Sequence, residues 1–144
     1  MLLKFHKQSL MKIIIISFFV VFLNTALYSQ KFIGFSEKDI KKQMDTDRPG
    51  FNIQNDNNLY FKYLKYVNNE NTETILFFLS DKLLCTEIRI ICDLSMKSQM
   101  LKELDSTYTK QNDNTWIENK NRNNYLIELN DEEWFFSINI KLEE

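Results

Sequence analysis

Histidine is nearly missing from this chain: it occurs once in 144 residues, as His6, and nowhere in residues 31–144. That stretch therefore holds no imidazole base and no imidazole metal ligand, which removes Ser-His-Asp triads and histidine-bound zinc hydrolases. Glycine occurs twice, as Gly34 and Gly50, sixteen residues apart. Neither a phosphate-cradling loop nor a dinucleotide fingerprint can be written with that spacing. Cysteine also occurs twice, Cys85 and Cys92, in a run that reads as one strand. At ~3.3 Å per residue the two would stand roughly 23 Å apart, whereas a disulfide needs α-carbons within about 7 Å. The expectation is two inert strand thiols, and Cys85, placed by alternation away from the core, is the candidate for any intermolecular bridge.

The one long apolar run, Ile13 to Leu23, is eleven residues, preceded by Met11-Lys12 and followed by Asn24-Thr25-Ala26-Leu27-Tyr28-Ser29-Gln30. A basic head, a short apolar core and a polar, small-residue tail make a secretory signal peptide. A bilayer-spanning helix needs about 20 apolar residues, which this run does not reach. Residues 1–29 are read as the leader, with Met11 the better start, cleavage near Ser29, and residues 30–144 as one mature domain. No cysteine follows the apolar core closely enough for lipid attachment, so the mature product is expected to be soluble, in the periplasm or outside the cell. Removing the first 30 residues takes away Lys4, Lys7 and Lys12 and leaves 15 basic against 20 acidic side chains, a net charge of −5. Nucleic-acid binders carry a basic surplus to neutralise phosphate, so that class is excluded, and a basic protein partner is favoured.

Phe35-Ser36-Glu37-Lys38-Asp39-Ile40 is the clearest local signal: Ser36 caps a helix, Asp39 returns a bond to the cap's amide, and Phe35 staples onto Ile40. Pro49 and Gly50 stop this helix after about Met44. Leu59–Val67, Thr74–Leu79 and Leu83–Cys92 then read as three strands joined by short polar turns. In the third, Leu84, Thr86, Ile88, Ile90 and Cys92 are set toward the core, with Cys85, Glu87 and Arg89 opposite. Asp93 caps a second helix to Leu104, along which Met96, Met100 and Leu104 recur every four residues as core. Thr115–Glu118, Tyr125–Leu129 and Trp134–Leu142 make three more strands, the last with Trp134, Phe136, Ile138, Ile140 and Leu142 inward and Phe135, Ser137, Asn139 and Lys141 outward. The expected fold is α+β: helix, three strands, helix, three strands, forming one antiparallel sheet of about six strands with both helices on one face.

The leader ending in Tyr28-Ser29-Gln30, followed by an Asn-rich, Gly-poor chain, resembles those of small uncharacterised exported proteins of Bacteroidota. The element order over residues 35–142 resembles the α-β-β-β units of the β-lactamase inhibitor protein and outer-membrane assembly lipoprotein families. That resemblance carries no shared motif residue; it implies protein binding by analogy of fold.

Three candidate sites follow. Asp45-Thr46-Asp47-Arg48-Pro49-Gly50 with Asp56 has the outline of a calcium loop, but Pro49 takes a ligand position and strand sequence replaces the exiting helix, so a helix-ending turn is the reading, and no cofactor or metal is expected. Glu87 and Glu128 are the mid-strand acids a carboxylate hydrolase would need, and a solvated sheet face accounts for both. The uncovered face of the sheet, carrying Glu87, Arg89, Phe135, Ser137 and Asn139 and joined by Trp116, combines aromatics with arginine in the manner of interface anchors. The expected function is thus a non-enzymatic exported module that binds another protein, as an inhibitor, an immunity-type partner to a secreted toxin, or an envelope accessory factor. The alternative is a small-ligand protein with an oligosaccharide or lipid held between sheet and helices against Phe77, Phe136 and Met100.

Overall fold

The computed structural model describes residues 29–55 and 61–143. The leader up to Tyr28, Asp56 of the calcium-loop outline and the start of the first expected strand at Leu59 lie outside the described residues. After a 3-10 turn at Ser29–Phe32, the order is α1 (Glu37–Asp47), β1 (Phe51–Gln54), β2 (Tyr63–Asn68), β3 (Glu73–Leu79), β4 (Cys85–Asp93), a 3-10 turn at Leu94–Met96, α2 (Lys97–Thr107), β5 (Thr109–Asn112), β6 (Thr115–Lys120), β7 (Asn123–Asp131) and β8 (Phe135–Leu142). All strands join one open antiparallel sheet in the order β1-β2-β3-β4-β8-β7-β6-β5. Each helix opens a four-stranded meander, and the two meanders meet along β4 and β8.

The sheet therefore has eight strands, not about six. The two additions are its edges, β1 and β5, four residues each. Short polar edges give an outside strand little to pair with, and the same polarity hides them from a search for apolar runs. In β1 a faint alternation survives, Phe51 and Ile53 against Asn52 and Gln54; in β5 the only cue is the Asp113-Asn114 turn that follows it.

Ser36 caps α1 as its sequence indicates, its Oγ accepting from the Asp39 amide at 3.3 Å. The Asp39 carboxylate accepts the Ser36 hydroxyl proton at 2.6 Å, so the reciprocal bond runs to the side chain and not to the cap's amide. The helix reaches Asp47 before the Arg48 amide closes it on the Met44 carbonyl at 2.8 Å. Asp93 takes the second cap, accepting from the Ser95 amide at 2.8 Å, and one 3-10 turn precedes α2. Turn chemistry sets the register elsewhere. Asn121 and Arg122 hold φ values of 52° and 66° between the paired Lys120 and Asn123, the conformation of a tight two-residue hairpin.

Ile40 and Met44 of α1 and Met100 and Leu104 of α2 bury against one face of the sheet, whose cross-strand rows are Leu64, Phe77, Ile88, Ile140, Ile127 and Trp116, and Tyr66, Ile75, Ile90, Ile138 and Leu129. Phe77, Phe136 and Met100 belong to this cluster and are closed off, at 0, 0 and 2% exposure. The site expected between sheet and helices is thus filled by these side chains.

β4 departs from simple alternation. Phe78 pairs with Glu87 but Leu79 pairs with Cys85, so β4 carries one extra residue, Thr86, and the phase reverses at that point. Cys85 consequently turns into the core, while Leu84 and Thr86 turn out to solvent. Both thiols are free and buried, and burial pushes Cys85 up to about 12 and Cys92 higher still, the Cys85 rise opposed only by its bond to the Glu87 carbonyl. A bridge through Cys85 is therefore disfavoured. Since the thiolate is the reactive form, the native thiols should label with an alkylating reagent on the order of a thousandfold more slowly than after unfolding in urea, a ratio read by mass spectrometry. Equal labelling in both states would contradict this burial.

Candidate binding face of the sheet

The helices cover one face of the sheet; among the described residues nothing covers the other. Register lays out its surface as transverse rows. One runs Lys65, Leu76, Arg89, Asn139, Glu128 and Thr115; the next runs Tyr63, Phe78, Glu87, Lys141, Leu126 and Ile117. The strands bring Glu87, Arg89, Phe135, Ser137 and Asn139 to this face, as their phase in the sequence requires.

Arg89 is its fixed point. Its Nε donates to Asn139 Oδ1 at 2.9 Å, its terminal nitrogen donates to Glu87 Oε1 at 3.1 Å, and its guanidinium lies 5.2 Å from the centre of the Phe78 ring. Three neighbours on two adjacent strands hold this side chain in one pose, so little rotamer freedom remains to lose on contact with a partner. Ser137 is buried between its neighbours and contributes shape more than contact. Glu87 and Glu128 each face a cation, Arg89 at 3.1 Å and Lys141 at 3.5 Å, and stand on different rows. They are partners of basic side chains on a solvated face, not a facing pair of acids. Among the described residues no cluster of three or more His, Cys, Asp or Glu side chains is placed to hold a metal ion.

Trp116 is a correction. It pairs with Ile127, which pairs with Ile140, and so lies on the helix side at 0% exposure. Its indole nitrogen donates to Asp105 Oδ1 of α2 at 2.9 Å. That bond, assisted by Lys110, holds the Asp105 carboxyl below the usual carboxylate range. Trp116 is a strut between helix and sheet and leaves the binding face without it.

Trp134 is the opposite case. It was set inward with Phe136 by alternation, yet β8 begins only at Phe135, and Trp134 sits in the preceding turn at 78% exposure. The turn closes through the Glu132 amide on the Phe135 carbonyl at 3.0 Å. Phe135 is 39% exposed and pairs with Asp93, so exposed Leu94 leaves β4 at the same end of the sheet as Trp134. Leu142, also set inward, is exposed at the other end of the strand. The signal for Trp134 was available in Asn130-Asp131-Glu132-Glu133, an acidic turn directly ahead of it.

At the β2–β4 side the face dips into an open depression of about 660 Å³. Tyr63, Leu76 and Phe78 form its floor, with the Tyr63 and Phe78 rings 5.9 Å apart, and Phe61, 64% exposed, stands at its edge.

The chain is an α+β protein built on one open antiparallel sheet with two helices on one face. No family model matches it, and comparisons with curated proteins and with solved structures find no match. No helix among the described residues is long and apolar enough to cross a membrane.

Proposed function

We propose that this protein is a non-enzymatic exported module that binds another protein through the open face of its sheet, as an inhibitor, an immunity-type partner or an envelope accessory factor. The observation that carries this reading is the locked Arg89, held by Asn139, Glu87 and Phe78 in the middle of a rigid face that has exposed Trp134 and Phe135 at one end. Arg, Trp and Phe are the side chains that carry most interface energy, and a rigid sheet presents them with little ordering cost. Export is read from the basic head, apolar core and polar tail of residues 11–30. The net charge of −5 on the mature chain favours a basic partner and faster association at low salt.

The test is affinity capture from the producing cells and their medium, with the tagged wild-type protein beside Arg89→Glu and Phe135→Ala. The expected result is one salt-sensitive protein partner whose affinity falls by about 30-fold or more with Arg89→Glu, the cost of losing an interface anchor. Capture that is unchanged in both variants and indifferent to salt would overturn the reading.

A further inference from the structure

The depression beside Arg89 has a chemistry of its own. Its floor and walls are Tyr63, Leu76, Phe78 and Leu79 with Phe61 at the edge, all half-buried or exposed. Its rim carries two cations and two anions, and these are already matched: Lys62 stands 3.7 Å from Asp81 and Arg89 stands 3.1 Å from Glu87. The rim is neutral in sum and each charge has its counter-charge.

We propose that this depression is the anchor pocket of the binding face, taking one uncharged, large apolar side chain, aromatic or branched aliphatic, from an exposed segment of the partner; this rests on the protein-binding reading above. The charge pattern selects that occupant. A cation or anion entering would meet no unmatched countercharge and would give up water for an apolar floor, whereas an apolar side chain takes the ring surfaces out of water at no electrostatic cost. A volume of about 660 Å³ lies within the range of side-chain-sized and small-ligand sites. The depression opens onto the flat face, since Leu76 lies on the same row as Arg89 and Asn139. An occupant carried by a larger body is therefore held by contacts across the rest of that row, which a free small molecule would lack. Anchors in pockets ringed by near-neutral contacts are where interface energy concentrates.

The pocket is tested on the isotope-labelled protein by NMR titration with N-acetyl-tryptophanamide, its anionic relative N-acetyl-tryptophan, its cationic relative tryptamine, and maltose. The expected result is amide shifts at Tyr63, Phe78 and Thr86 with the neutral amide, with a dissociation constant on the order of a millimolar and at least about fivefold weaker binding of both ions. Leu76→Glu should abolish the shifts; Thr86→Arg, at an exposed rim position, does the same without touching the row beneath, should Leu76→Glu fail to fold. No shifts, equal affinity for all three indoles, or shifts with maltose alone would overturn the proposal. With the captured partner, binding lost on Phe135→Ala but retained on Leu76→Glu removes the anchor pocket and leaves the wider face standing.

Discussion

Trp116→Ala is expected to destabilise the protein by about 3–5 kcal/mol, a large share of the ~5–15 kcal/mol that holds a typical domain together. Trp116 is among the largest of the fully buried side chains and lies on the row that runs through Ile127, Ile140 and Ile88 to Phe77. Truncation leaves a cavity in the middle of the second meander and cuts the tie from the indole nitrogen to Asp105 on α2. Urea unfolding followed by far-UV circular dichroism measures the loss, because that signal does not depend on the deleted indole. Trp116→Phe separates the two effects. It keeps most of the apolar volume and should cost closer to about 1 kcal/mol beyond its small volume change, since the partly exposed Asp105 carboxylate can return to water. A midpoint for Trp116→Ala equal to wild type would mean that the residue is not in the core.

Arg48→Met should cost about 3 kcal/mol or more near neutral pH and much less in acid. Glu73 is only 3% exposed, with Arg48 Nη1 3.9 Å from its Oε1. Burial raises the Glu73 pKa, Arg48 pulls it back down, and Glu103 of α2 raises it again. A carboxyl with a raised native pKa binds its proton more tightly folded than unfolded. Its contribution to stability is therefore fully present below the unfolded value and is lost as the pH rises through the native one. Removing Arg48 takes away the cation that opposes this loss, so the pH dependence should steepen between about pH 5 and pH 8. Glu73→Gln should flatten the same dependence and cost less than Arg48→Met, and the double variant should recover stability at neutral pH over Arg48→Met alone. Parallel pH profiles for wild type and Arg48→Met would show that the two groups do not interact.

The parts of the fold that follow from neighbours along the chain were legible from the sequence. Ser36 and Asp93 cap where their positions dictate, because capping is a contact within three residues. Ile88 and Ile90 face the helices, and Glu87 and Arg89 face solvent, because a strand places alternate side chains on opposite faces. What failed depended on where each strand starts or breaks. Cys85 was put on the wrong face because one extra residue at Thr86 reverses the phase, and that bulge exists only through the pairing of β3 with β4. Trp134 was put inward because alternation was carried one residue past the start of β8. The short edges β1 and β5 lack apolar alternation strong enough to announce them; their pairing with β2 and β6 is what makes them strands.

The candidate face divides in the same way. The composition of residues 31–144, without histidine and with two glycines, settles by itself that imidazole catalysis and glycine-loop phosphate binding are absent there, because those chemistries need those residues. Strand phase by itself put Glu87, Arg89, Ser137 and Asn139 on one surface. Tertiary structure alone decided that Arg89 meets an asparagine fifty positions away, that the Tyr63 and Phe78 rings close a depression beside it, and that Trp116 belongs to the core. Those contacts join separate strands, and the order in which strands assemble depends on which pairing buries the whole apolar surface at once. That is a property of the assembled sheet and its helices, not of any window of sequence.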